Sequence, residues 1–356
     1  MPTRGEAGAR QRHVMVAEWT APPGLDAEAL SAWLGRRLEL ADDPPLQAEL
    51  IAGGRSNLTY LLRSGERMWV LRRPPLGRRL PTAHSMLRER RVLDALSGTG
   101  VPVPRVVAAC DDNDVIGTSF YVMDYVDGRV IRAPADDDLD PSQRHTCAIE
   151  LVKTLATLHQ LEYERVGLGE FGRPAGYLER QVRRFKQQLD ASRTRELPAL
   201  DRLGDLLAAS LPDSGRAAIL HGDYRIDNVM LDRHDPTRIV AVLDWEMATL
   251  GDPLCDLGML LMYWGQAGEQ MATGAHAITA AAGFPTRNEI IERYALQTGF
   301  PLEDLRVYIA FAYFKLAVIV EGIHARHLDG LTVGEGYDGM AAIPPVLAEQ
   351  GIEALG

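Results

Sequence analysis

HGDYRIDNVML at residues 221–231 and, after a short turn, RIVAVLDWEMATLGDPLCDLGML at residues 238–260 decide how the rest of the chain is read. Two apolar runs suited to β-strands, Ala217 to Leu220 and Ile239 to Leu243, each deliver a polar cluster at their C-terminal end. The first cluster holds His221, Asp223 and Asn228. The second holds Asp244 and Glu246, followed by Asp252 and Asp256. Any one of these could be an ordinary turn or cap residue, since Asp and Asn are common at strand ends. Their joint spacing is what carries information.

Phosphoryl transfer calls for such a set. The transferred group is highly charged, so a protein mainly positions it and neutralises charge through Mg²⁺. Mg²⁺ takes oxygen ligands and keeps several waters, so one or two carboxylates and an amide oxygen suffice. A further carboxylate must orient the attacking hydroxyl and accept its proton. Asp223, then Asn228, then Asp244 at the end of the next strand supply these parts in the order of the protein-kinase signature H-R-D-x-x-x-x-N followed by D-F-G. Gly222 stands in place of the Arg, and Asp244-Trp245-Glu246 in place of D-F-G.

On these residues the segment resembles the aminoglycoside phosphotransferase-like kinases, with their H-G-D-x-x-x-x-N loop and D-x-E metal strand. The resemblance implies Asp223 as catalytic base and Asn228 and Asp244 as metal ligands. It implies Asp256, in Asp256-Leu257-Gly258, as a brace for the catalytic loop, and His221 as a structural member. The likeness extends through GGRSNLTYLL, VLRRPPLGRRLPTAHSMLRERRVLDAL, VPVPRV and SFYVMDYVDGRV. Together these look like the kinase-like domains found near, or fused to, acyl-CoA dehydrogenases. The implied fold is α+β and protein-kinase-like, with a small antiparallel-sheet N-lobe at residues 46–126. A larger, mainly helical C-lobe follows at 127–356, and residues 1–45 form an N-terminal extension and helix. ATP and Mg²⁺ are the implied cofactors, and a small-molecule hydroxyl, hydroxyacyl-type or other, is the implied acceptor. A true aminoglycoside kinase and a non-catalytic nucleotide-binding pseudokinase stay open as alternatives. A protein kinase is disfavoured, because no A-P-E segment follows Asp244.

Composition agrees with an ordinary globular protein: 46% hydrophobic and 24% charged residues over 356 positions. No uninterrupted apolar run reaches the roughly 18 residues of a membrane span, and Tyr308 to Val320, broken by Lys315, reads as a buried helix. MPTRGEAGARQRH at the start lacks the apolar core of a secretory signal. Cys110, Cys147 and Cys255 are widely spaced and suggest neither disulfides nor zinc, so a reducing cytoplasm is the expectation. A net charge of −11 argues against nucleic acid as partner. Against that balance, nine arginines crowd Arg63 to Arg91, a local excess suited to an anionic ligand.

Taken in order, Leu25 to Leu40 has helical spacing, and Gln47 to Ala52 and Asn57 to Arg63 read as a hairpin around Gly53-Gly54-Arg55-Ser56. Glycines there let backbone N–H groups approach phosphate, with Gly54, Ser56 and Asn57 as candidate contacts. The third strand, Met68 to Arg72, places Arg72 where kinases carry the phosphate-binding Lys, while Arg73 points to the opposite face. Glu89, on a helix from about Met86 to Leu96, sits where the kinase ion-pair Glu is sought. Ser119 to Val126 ends the small lobe, and the resemblance makes Met123, Asp124 and Tyr125 the adenine-binding hinge. Beyond Asp256 everything reads helical. His324 and His327, three apart on a helix, read as capping or surface residues rather than metal ligands.

Overall fold

The structure, a computed structural model, describes residues 22–39, 43–53, 57–76, 84–213, 215–269, 272, 277–330, 337 and 339–356. These residues fall into two compact units, one drawn from 1–78 and 107–122, the other from 79–106 and 123–356.

In the first unit, helix α1 (Ala27–Leu38) begins where the Asp26 carboxylate accepts a hydrogen bond from Ala29 N at 3.0 Å. Arg36 and Arg37 in its last turn suit the negative end of the helix dipole. Strands β1 (Gln47–Gly53), β2 (Leu58–Ser64) and β3 (Arg67–Arg73) form an antiparallel meander. Helix α2 (His84–Leu96) belongs to the second unit, and the chain then returns through β4 (Val106–Cys110), a short helix α3 (Asn113–Ile116) and β5 (Phe120–Asp124). The sheet order is β1-β2-β3-β5-β4. Its buried face carries Tyr60, Leu62, Leu71 and Val122, and α1 covers it, with the Trp33 ring edge-on to Phe120 at 5.0 Å.

The arginine-rich stretch is divided among separate tasks. Arg73 is buried and spends its donors on the carbonyls of Gly24, Pro74 and Ile116, closing the core of the first unit. Arg67 pairs with Asp43 at 2.9 Å, and Arg90 with Asp94 at 3.2 Å. Among the described residues these arginines therefore do not serve as one basic patch; Arg78 and Arg79 lie outside those residues.

The second unit runs through β6 (Gly128–Arg129), α4 (Pro141–Gln160), α5 (Tyr177–Ala191) and α6 (Pro198–Ala209). It continues with β7 (Ala218–Leu220), β8 (Val229–Asp232), β9 (Ile239–Val242), β10 (Thr249–Gly251) and α7 (Leu254–Tyr263). Helices α8 (Arg287–Thr298), α9 (Leu305–Leu328) and α10 (Ile343–Leu355) complete it. The strands form two small sheets, β6-β8-β9 and β10-β7, whose role is to present the loops after β7 and β9. Capping boxes start α4 (Asp140 with Gln143) and α8 (Thr286 with Glu289).

Helix α9 contains the buried helix expected at Tyr308 to Val320. Leu305–Leu328 is long and apolar enough, by length and composition, to cross a membrane. Yet 67% of its most apolar window is buried inside the protein, against α5, α6, α7 and α10. A helix surrounded on all sides needs apolar residues on all sides, which is why it lacks an amphipathic face. The close α7–α9 crossing depends on Gly258: a Cβ there would stand 2.6 Å from the Tyr308 carbonyl.

Candidate active site

Strand β7 ends at Leu220, and His221 opens a loop held from several sides. The Asp256 carboxylate at the start of α7 accepts from His221 N at 2.6 Å through Oδ2 and from Gly222 N at 2.8 Å through Oδ1. His159 of α4 adds a bond to Oδ2 at 3.2 Å, while its other ring nitrogen meets the Tyr294 hydroxyl at 2.7 Å. Burial pushes the Asp256 carboxyl up. The hydrogen bond and charge of His159 and the Gly222 N–H outweigh it and hold the acid below its ordinary value. Asp256 is thus the loop's brace.

His221 is wholly buried between the Trp245 ring at 4.7 Å and Tyr224 at 5.8 Å. Asp223 N donates to its Nδ1 at 3.2 Å, so Nε2 carries the proton and donates to Leu243 O at 2.7 Å. One imidazole therefore ties the loop after β7 to the end of β9. Gly222 between them has φ +85°, and an added Cβ would lie 2.6 Å from Met247 O. Position 222 has room for no side chain, which explains glycine where protein kinases place arginine.

Asp223 and Asn228 face each other across this loop. Asn228 Nδ2 donates to Asp223 O at 2.8 Å and to Asp223 Oδ2 at 3.0 Å, which turns Asn228 Oδ1 the other way. Leu243 N donates to Asn228 O at 2.8 Å, so β9 runs directly beside Asn228 and delivers Asp244. Asp244 has φ +64°, a left-handed conformation that a non-glycine residue holds only against strain. Arg225 lies among the carboxylates: its Nε is 3.4 Å from Asp223 Oδ2 and its Nη1 3.2 Å from Asp227 Oδ2. Burial pushes the Arg225 guanidinium down, but Asp223, Tyr263, Asp227 and Asp244 together raise it, so Asp244 acts in the same field as Asp223. Its guanidinium also stacks over the Tyr263 ring at 4.7 Å.

Two cavities flank the loop. One, of 670 Å³, is lined by Leu261, Met262, Ile309, Leu316 and Leu347, with Arg225 on its wall. The other, of 360 Å³, is lined by Gly222, Glu246, Arg88, Arg184 and Lys315.

With this geometry in view, comparison with known proteins is decisive. Residues 47–290 match the model of the phosphotransferase enzyme family. The chain belongs to that family. Acyl-CoA dehydrogenase family member 11 of Rattus norvegicus is 37% identical over 337 residues, covering 92% of this chain but 43% of that protein. The chain thus spans less than half of this curated relative. A solved structure from Ralstonia eutropha JMP134, provisionally described as an aminoglycoside phosphotransferase, is 36% identical with TM-score 0.80, covering 93% of this chain and 98% of its own. A thermostable mutant of an aminoglycoside phosphotransferase, solved with ADP and hygromycin B, is 16% identical with TM-score 0.59, over 92% of this chain and 98% of its own. It shares the fold. The α+β, kinase-like architecture of this phosphotransferase-family chain follows from the same comparisons.

The phosphotransferase signature accounts for part of the expected site. Asp223 and Asn228 are brought into direct contact, and Asp244 acts on the same arginine. Of the nucleotide candidates, Gly54 and Ser56 lie outside the described residues. Asn57, buried, and Arg72, half-buried, belong to the first unit. Glu89 belongs to the second and is 1% exposed, so it is not a surface helix carboxylate. Of the hinge candidates, Met123 is buried and Tyr125 half-buried. Asp124 is committed elsewhere: its N–H donates to Arg105 O at 2.9 Å and its carboxylate pairs with Arg105 Nε at 2.9 Å. Sequence reasoning passed over Arg225, although it stands two positions after Asp223. It also treated Lys315 only as a break in an apolar run. A lone charge inside an otherwise apolar helix was the available signal.

Proposed function

We propose that the chain is an ATP-dependent kinase that transfers the γ-phosphoryl group to a hydroxyl of a small metabolite, hydroxyacyl-type or other, in the cytoplasm. The observation that carries this reading is the Asp223–Asn228 contact within the loop braced by Asp256, with Asp244 acting on the same Arg225. Asp223 Oδ2 accepts from Asn228 Nδ2 and faces the Arg225 guanidinium in an ion pair, while Oδ1 would accept the proton of an acceptor hydroxyl and orient it for attack. Asn228 Oδ1 and the Asp244 carboxylate form a hard oxygen donor pair and would hold Mg²⁺. Among the described residues no three His, Cys, Asp or Glu side chains form a metal cluster, and Mg²⁺ needs only one or two carboxylates from protein. When bound, Mg²⁺ neutralises charge on the triphosphate oxygens. Nucleotide contacts by Gly54, Ser56, Asn57, Arg72, Glu89, Met123 and Tyr125 belong to the same proposal.

The 670 Å³ cavity supports an acceptor with an apolar part, because its wall is largely aliphatic and shares Arg225 with Asp223. An aminoglycoside acceptor is the second reading, favoured by the description of the Ralstonia eutropha structure. A panel of aminoglycosides, hydroxy acids and hydroxyacyl-CoA esters, assayed for ADP release, separates the two. Asp223→Ala is expected to lower transfer by roughly 10²–10⁴-fold, the range for loss of a general base, while nucleotide binding persists. Full activity in that variant removes Asp223 from the base role.

A further inference from the structure

The smaller cavity has a charge pattern that the transfer mechanism does not use. Three cations line it: Arg88 from α2, Arg184 from α5 and Lys315 from α9, against Glu246 as the carboxylate on its wall. The arginines form no ion pair among the described residues. Arg88 is held in place by neutral groups: its Nη2 donates to Phe171 O at 3.2 Å and Ala248 O at 3.3 Å, and its guanidinium stacks over the Phe171 ring at 4.1 Å. Lys315, 7% exposed, donates from Nζ to Gly222 O, the carbonyl immediately before Asp223. Burial lowers the Lys315 ammonium, Asp223, Asp256 and Cys255 support it, and Arg184 opposes it. Arg184 is therefore close enough to Lys315 for their charges to repel. Lys315 is buried while Arg88 and Arg184 stand exposed at the cavity wall, so an anion entering it meets both guanidiniums and the ammonium.

The place of this cavity relates it to the acceptor. Its wall includes Gly222, the residue before Asp223, and the Glu246–Thr249 turn, while Asp223, Asn228 and Asp244 do not line it. Tyr177, Gln181 and Arg184 reach it from one face of α5, at successive helical turns. We infer that the Arg88–Arg184–Lys315 cavity is an anion-binding subsite that receives an acidic group, carboxylate or phosphate, carried by the phosphoryl acceptor. This rests on the phosphotransferase reading and narrows its substrate class to hydroxy compounds bearing negative charge. The same cations repel a polycationic aminoglycoside.

The test compares matched acceptors on the full chain: hydroxybutyrate against butanediol for a carboxylate, and glycerol phosphate against glycerol for a phosphate. Transfer is followed by ADP release, and binding of the two acids is measured separately by calorimetry without nucleotide. Arg184→Gln is the first variant, since Arg184 is exposed and its loss does not threaten the core. The expected result is that wild type prefers one of the acids. Arg184→Gln then raises the KM of that acid about tenfold or more, as for loss of a charge-assisted hydrogen bond, and leaves the neutral partner's KM in place. Arg184→Lys restores part of the preference. Equal effects on acid and neutral acceptor, or transfer to kanamycin unaffected by Arg184→Gln, overturn the subsite but not the kinase reading. Arginine-dependent binding of an acid with no transfer to any acceptor keeps the anion site and defeats the kinase reading.

Discussion

Replacing Asp256 by Asn is the sharpest test of how the catalytic loop is held. The carboxylate accepts three hydrogen bonds: Gly222 N on Oδ1, and His221 N and His159 Nε2 on Oδ2. Asn keeps the shape but replaces one acceptor by an NH₂ group. Its better orientation keeps an oxygen for His221 and His159 and turns the NH₂ toward the Gly222 N–H. That buried donor then loses its partner, at about 1–3 kcal/mol. The two remaining bonds lose charge assistance, which roughly halves their strength. Together this gives about 3–5 kcal/mol, the magnitude seen when one partner of a buried charged pair is removed. Against a total of about 5–15 kcal/mol for a typical domain, the variant becomes marginal. Urea unfolding at neutral pH, with m unchanged, measures the difference. The acid dependence follows from sign: Asp256 is held below its ordinary value, so its contribution is complete at neutral pH. It is lost as pH falls below the ordinary carboxylate value of about 3.9 and through the lower folded value. Wild type and Asp256→Asn should therefore converge in acid. A loss under about 1 kcal/mol at neutral pH, or curves that stay parallel to low pH, would refute the bracing argument.

The other expectations are simpler to state. Gly222→Ala should destabilise by about 1–3 kcal/mol and reduce transfer, because Met247 O stands 2.6 Å from the new Cβ and φ is +85°; a variant with unchanged melting temperature and activity contradicts that. Cys110, Cys147 and Cys255 are free and buried, and burial pushes the Cys147 thiol up to about 12. A thiol reagent at neutral pH should label them only on unfolding, and rapid labelling of native protein contradicts it.

Much of the fold was legible because its periodicities are local. The hairpin of β1 and β2, the β3 strand and helix α8 each follow from alternation or a 3.6-residue repeat. Short pieces such as β10 and β6 were not legible, since two or three residues carry no period and pair only because the surrounding loops bring them together.

The spacing of Asp223, Asn228, Asp244 and Asp256 in the chain was enough to indicate a phosphotransferase, because each residue type does a chemical job set by its own functional group. Tertiary structure decided the rest. It gave Asp256 its three donors from α4 and the catalytic loop, placed Arg225 among the carboxylates and inserted Lys315 beneath Gly222. It also gathered Arg88, Arg184 and Lys315, from positions 88, 184 and 315, around one cavity. Chemical identity is a property of single residues and survives in a linear reading. Electrostatic environment is a sum over neighbours, and neighbours drawn from distant helices exist only after the chain has packed.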